Sequence, residues 1–232
     1  MRRRVLIAAL AAAGAAGAPA AHASTARVAP GGGAVDYVAA GGEQNSLEAS
    51  ATGAIVTLTD TGATITPGAG CAPSGTQRVA CTVAGGNPRL SVALGDLDDT
   101  ATVAGALPAQ LDGGPGADTL NGGDAADVLH GGAGNDALSG GAGDDVLGGD
   151  GPALVVAGGD DRLDGGPGAD VLTGDGGRDT ADYSGRSTAV TVTLDGARDD
   201  GEAGERDAVD TEDVITGGGA DSLTGNTVAN RL

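Results

Sequence analysis

Residues 113–148 read GGPGADTLN, GGDAADVLH, GGAGNDALS and GGAGDDVLG, four nonapeptides in unbroken phase. After an interruption at 149–155 the phase resumes as VAGGDDRLD (156–164), GGPGADVLT (165–173) and GDGGRDTAD (174–182). A later patch reads TGGGADSLT (216–224) and then GNTVANRL to Leu232. The rule is Gly-Gly-x-Gly-x-Asp-x-Leu-x. Its sixth position holds Asp118, Asp127, Asp136, Asp145, Asp161, Asp170, Asp179 and Asp221, with Asn230 last. Its eighth holds Leu120, Leu129, Leu138, Leu147, Leu163, Leu172, Leu223 and Leu232, with Ala181 as the departure. A period kept in this way marks a repeat architecture, in which each unit buries its apolar residue by stacking on the next.

Composition agrees with the repeat and narrows the partners. Of 232 residues 46 are Gly, none is Phe or Trp, and two are Tyr, so the usual aromatic contribution to a globular core is missing. Acids number 32 against 12 basic residues, all Arg, for a formal charge of −20. Nucleic acid and anionic membrane surfaces both need a basic face, so neither is expected as a partner. The balance favours cations. Gly excess without a three-residue period, beside 40 % hydrophobic residues, fits neither collagen nor disorder.

Residues 113–182, and again 216–232, resemble the hemolysin-type calcium-binding repeats of RTX proteins. The resemblance implies an all-β fold, a right-handed parallel β-roll in which two nonamers make one coil and each nonamer is a six-residue turn plus a three-residue strand. It implies several calcium ions, each lying between a turn and the equivalent turn eighteen residues on, held by sixth-position carboxylates and turn carbonyls. The in-phase pairs are Asp118 with Asp136, Asp127 with Asp145, and Asp161 with Asp179. If the interruption loops out, Asp136 also meets Asp161 and Asp145 meets Asp170. Asp221 belongs to the later patch. Turn carbonyls would come from Gly114, Gly116, Gly132, Gly134, Gly141, Gly143, Gly166 and Gly168.

The physical chemistry of the motif supports that implication. Calcium takes six to eight hard oxygens, carboxylate and carbonyl alike. Gly at fixed positions lets the backbone turn its carbonyls inward, and stacked Asp rows repel one another at strand spacing unless a cation lies between them. One inward Leu in nine residues is a small apolar payload against the entropy of ordering nine residues. The metal-free repeat is therefore expected to be poorly folded, with calcium binding supplying folding free energy. Ala125 and Asp175 replace turn glycines and Ala181 replaces a ladder Leu, so weaker sites are expected there.

Outside the repeats, Met1-Arg2-Arg3-Arg4 precedes an Ala-rich apolar run and Ala21-His22-Ala23, the order of a signal peptide cleaved after Ala23. That run is too short for a good membrane span, and no other segment is long enough. Export makes the mature charge −23 and places Cys71 and Cys81 where a disulfide is expected. Residues 24–110 read as a short-stranded N-terminal β region (35–39, 54–59, 63–66, 78–83, 89–94) that caps the repeats. Residues 183–215 read as a hairpin or two exposed strands, YSGRSTAVTVTLD (183–195), followed by an acidic stretch over 198–213 that is a solvated loop or, as the alternative, a further loose calcium loop.

Catalytic signatures are missing. There is no HExxH and no GxSxG, and His130 is the sole histidine after processing, at a repeat's ninth position. No enzyme activity is expected. The sequence points to a secreted, extracellular calcium-binding protein with a structural, adhesive or surface role, in contact with a cell surface or matrix. The alternative is a non-catalytic accessory or truncated remnant of a larger RTX exoenzyme (protease, lipase or glycosidase).

Overall fold

The structure is a computed structural model and describes residues 23–151 and 158–232. The leader reading over 1–23 therefore lies outside the described residues except for Ala23, as do residues 152–157 of the interruption. Among the described residues there is no α-helix, and none long and apolar enough to cross a membrane. The strands form two sheets, of 12 and 10 strands.

Both sheets arise from the Asp-x-Leu-x half of the nonamer. Successive nonamers send their strands alternately to one sheet and the other, so strands eighteen residues apart pair in parallel. Leu111 stands opposite Leu129 in one sheet, and Leu120 opposite Leu138 in the other. In sheet one the strands Ala34–Val38, Arg89–Ala93, Ala109–Pro115, Val128–Ala133, Val146–Gly148, Val171–Thr173 and Asp207–Asp210 run parallel. Sheet two answers with Ser46–Thr52, Thr100–Ala104, Thr119–Gly123, Ala137–Gly141, Arg162–Asp164, Thr180–Tyr183 and Asp213–Thr216. This is an all-β, parallel two-sheet roll.

The core is a pair of facing ladders between the sheets. One runs Tyr37, Val92, Leu111, Leu129, Leu147, Leu172, Val209; the other runs Leu47, Ala101, Leu120, Leu138, Leu163, Ala181, Val214, and every member is buried. Each buried Leu is worth about 1.5–3 kcal/mol. The ladders start well before the first nonamer and continue past the last one in phase. Residues 24–110 thus contribute coils of the roll itself as well as its end cover. That cover comprises Ser24–Val28, antiparallel to Ala34–Val38, and Ile55–Asp60 and Arg78–Thr82, which extend sheet two antiparallel. Cys71 and Cys81 face each other across Cys71–Pro73 and Arg78–Thr82 and are joined by a disulfide.

The acidic segment 198–213 is not a solvated loop. It holds the strands Arg198–Glu202 and Asp207–Asp210, and Asp200 and Asp207 are buried. The reason lies in two half-motifs, Asp207-Ala208-Val209 and Glu212-Asp213-Val214, which repeat the acid-x-apolar spacing and enter sheets one and two. Val190–Thr193 pairs antiparallel with Arg198–Glu202 and parallel with Ser222–Thr224, so it is a layer of the stack rather than a free hairpin.

The interruption is also placed differently. Gly149 keeps the first position of its nonamer: its N–H donates to Thr173 O and its carbonyl accepts from Gly132 N. Gly149 therefore belongs to its coil, and the phase is regained by Gly158.

Candidate metal centre

The turns between the sheets lie along the two edges of the roll, and each edge carries a row of sixth-position carboxylates. In row one the N–H of Asp99 donates to Asp118 Oδ1 at 2.7 Å, Asp118 to Asp136 at 2.7 Å, Asp136 to Asp161 at 2.8 Å, and Asp161 to Asp179 at 2.9 Å. In row two the N–H of Ala109 donates to Asp127 Oδ1 at 2.7 Å, Asp127 to Asp145 at 2.8 Å, Asp145 to Asp170 at 2.8 Å, and Asp170 to Asp207 at 3.0 Å. The pairs that cross the interruption are brought together as closely as the others.

Each carboxylate thus spends one oxygen on the backbone of the preceding coil. The other is left over. Oδ2 of Asp99, Asp118, Asp127, Asp136, Asp145, Asp161, Asp170 and Asp179 is buried and has no hydrogen-bond partner. A buried, unpaired carboxylate oxygen is costly, and a row of them at coil spacing is costlier still. Burial pushes the carboxyls of Asp127, Asp136, Asp170 and Asp179 up to about 7, and those of Asp118 and Asp161 up to about 6. The donated backbone N–H works in the opposite direction in each case, and neighbouring acids add to the rise.

The free oxygens converge with backbone carbonyls over the first glycine of each turn. A Cβ at Gly122 would stand 2.6 Å from both Asp127 Oδ2 and Gly140 O. The same pairing recurs at Gly131 with Asp136 Oδ2 and Gly149 O, and at Gly140 with Asp145 Oδ2 and Gly165 O. The second and fourth positions form carbonyl columns: Gly114 O abuts Gly132, Gly116 O abuts Gly134, Gly141 O abuts Gly166, and Gly143 O abuts Gly168. Gly132, with φ +117, shows why the residue is required. Its left-handed backbone disfavours a side chain, and a Cβ would overlap Gly114 O. Among the described residues no three His, Cys, Asp or Glu side chains converge as a side-chain cage. The donor set is one carboxylate per coil with backbone oxygens around it.

Residues 112–147 and 154–183 match the family model for the RTX calcium-binding nonapeptide repeat, in 4 copies. The chain carries RTX calcium-binding repeats. Searches of the curated proteins and of the solved structures find no match. RTX repeats bind several calcium ions per repeat region, and the oxygens described above suit that ion. They are hard, lie together over the turn glycines, and include buried carboxylate oxygens without a hydrogen-bond partner. Glycine carbonyls and Asp Oδ2 atoms of the RTX turns would hold it; when bound, it neutralises the rows and links each coil to the next.

Not every residue singled out by the motif joins a row. Asp221 accepts from Val190 N at 3.1 Å where Ser222–Thr224 pairs with Val190–Thr193, and the strands Val190–Thr193 and Arg198–Glu202 separate it from Asp207. Three residues outside the nonamers do join: Asp99, Asp207 and Glu212, the last accepting from Asp179 N at 3.0 Å. The signal for them was the acid-x-apolar half-motif, present without its glycines.

The rows also have built ends. Asn45 Nδ2 donates to Leu94 O at 3.2 Å, and Asn230 Nδ2 donates to Glu212 O at 2.8 Å, so amide donors close row one. Row two closes with a guanidinium. In the column of second-position carbonyls Gly123 O faces Gly141 and Gly141 O faces Gly166, whereas Gly166 O accepts from Arg186. Arg186 also pairs with Glu205 at 3.0 Å and Glu202 at 3.6 Å, while Tyr183 OH donates to Asp207 Oδ2 at 2.9 Å. Row two thus ends on a cation of the protein's own.

Proposed function

We propose that this chain is a secreted protein whose RTX repeats fold into the β-roll when they meet extracellular calcium, and that the folded roll serves a structural, adhesive or surface role. The row of partnerless Asp Oδ2 atoms supports this reading most directly. A roll whose buried carboxylates face one another without counter-charge is poorly stable, and the ion that suits those oxygens is abundant outside cells. The basic-then-apolar N-terminus with Ala21-His22-Ala23 supports export.

A non-catalytic role fits the one histidine of the repeats. His130 lies at a ninth position on sheet one beside Asp112, with neither ring nitrogen hydrogen-bonded, so no nucleophile is paired with it. Burial pushes its pKa down, against the opposing pull of Asp112 and Asp175. The calcium ligands we assign are Asp118, Asp127, Asp136, Asp145, Asp161, Asp170 and Asp179 with the turn glycine carbonyls. Calorimetric calcium titration of the chain from Ser24, with dichroism in parallel, tests the proposal. The expected result is several ions bound with a gain of β signal; the same spectrum in chelator and in millimolar calcium would refute coupled folding.

A further inference from the structure

The turn Gly95–Asp99 lies one coil ahead of the first nonamer and outside both matched segments. Its sequence, GDLDD, keeps one glycine of the motif. Its hydrogen bonds and its second- and fourth-position carbonyls nevertheless match the RTX turns, with Leu94 in the place of the first glycine. Asp99 is 2 % exposed; its Oδ1 accepts from Asn45 N at 2.6 Å and its Oδ2 is buried without a partner. Gly95 N donates to Gly113 O at 3.2 Å, as Gly132 N donates to Gly149 O at 3.0 Å. Gly95 O and Leu97 O abut Gly114 and Gly116, as Gly114 O and Gly116 O abut Gly132 and Gly134.

Leu97 is the telling residue. It holds a φ of +79° in the left-handed region, although it is 48 % exposed and gains little by burial. A leucine there is strained, and such strain persists where the surroundings demand a particular backbone direction. What the conformation achieves here is to aim the Leu97 carbonyl into the turn. The other acids of the turn are engaged elsewhere: Asp96 accepts from Gly42 N at 2.6 Å and Asp98 from Ala117 N at 2.8 Å.

We propose that Asp99 Oδ2, with the carbonyls of Gly95, Leu97 and Gly113, forms a divalent-cation site of the calcium class. The metal-binding part of the roll then begins one coil before its recognisable repeats. The proposal rests on the calcium reading above and extends it to a turn that the motif does not cover. Row one would start at this site, because Asn45 fills the next place outward with an amide.

Calorimetry on the chain from Ser24 and on its Asp99→Asn variant tests it, since Asn keeps an oxygen for Asn45 N–H but loses the charge. The variant should bind one calcium ion fewer and keep its calcium-induced dichroism; an unchanged stoichiometry overturns the site. If the unaltered chain binds no calcium, the reading of the whole repeat fails and this site falls with it. A second measurement begins from a chain in which Asp99 is intact. Tyr37 and Tyr183 are the sole aromatic residues. Tyr37 OH donates to Asn45 Oδ1 at 3.0 Å, beside Asp99, while Tyr183 lies at the far end of row two. In a Tyr183→Phe chain loaded with terbium, tyrosine-sensitised emission should appear, and calcium should quench it by displacement. Absent emission from terbium-loaded protein, or emission that survives in the Asp99→Asn, Tyr183→Phe chain, would overturn the proposal.

Discussion

At the scale of the residue, the roll is a device for leaving one carboxylate oxygen free in each coil. The sixth-position Asp is short enough for Oδ1 to meet the backbone N–H of the preceding coil while Oδ2 stays in the turn. That division sets the pH behaviour of the metal-free chain. Burial raises the folded-state carboxyls of Asp127, Asp136, Asp170 and Asp179 to about 7, above the unfolded value of 3.8. A group whose folded pKa is raised binds its proton more tightly when folded. Its stabilising contribution is therefore complete below about pH 4 and is lost as the pH rises through about 7. In chelator, the β signal in dichroism should grow as the pH falls from 7.5 to 4.5. In calcium, protons compete with the ion, so apparent affinity should fall over the same interval. A metal-free chain that unfolds further on acidification would contradict the buried rows.

At the scale of the element, much of the roll was legible because the motif carries its own register. Gly-Gly-x-Gly-x-Asp-x-Leu-x specifies where the chain turns, which oxygen is spare and which side chain enters the core, so coils 113–148 and 165–182 could be paired residue by residue. Coils that kept only half of the motif were not legible. Asp99-Thr100-Ala101 and Asp207-Ala208-Val209 retain the spare acid and the inward residue, but their turns are built without the glycine pattern. Leu97 and Arg206 adopt positive φ where glycine would be expected. Charge density hid the second of these, since eight acids in a row of sixteen residues read as a solvated loop until their backbone partners are known. The end of row two has the clearest consequence. Arg186 donates to Gly166 O and pairs with Glu205, a largely buried arrangement. Replacing it with Gln removes the charge facing two acids and one carbonyl. Hydrogen bonds to charged groups contribute about 1.5–3 kcal/mol, so Arg186→Gln should lower the stability of the calcium-saturated protein by that order in urea unfolding. The loss should concentrate in exchange protection of Arg198–Glu202 and Asp207–Asp210, leaving Thr119–Gly123 unchanged. Uniform loss along the roll would show that Arg186 is not an end closure.

At the scale of the whole molecule, the structure is nearly one-dimensional: each coil contacts its two neighbours, and stability accumulates through nearest-neighbour interfaces. The ends are closed by different means. The N-terminal end has antiparallel strands, the Cys71–Cys81 bridge and the Tyr37–Asp60 contact; the C-terminal end has Arg186, Tyr183 and Asn230. Between them the ladders are continuous among the described residues, through the coil that follows the interruption in the repeat. Leu163 is the ladder residue of that coil and is fully buried between Leu138 and Ala181. Ala181 is already small, so Leu163→Ala would place two alanines in succession and leave a gap that neighbours cannot fill. Truncating a buried Leu costs about 2–5 kcal/mol. In a globular core that cost is shared by the whole domain, whereas in this stack it falls on the two interfaces of one coil. Leu163→Ala should therefore divide unfolding in calcium into two transitions, one for the coils up to Leu138 and one for those from Ala181 onward. Val92→Ala, next to the covered N-terminal end, should shift a single transition without splitting it. Exchange protection followed through a urea series would distinguish the two patterns. A single shared transition in both variants would mean that bound calcium couples the coils more strongly than the Leu ladder does, so that the rows of ions, rather than the core, hold the roll together as one unit.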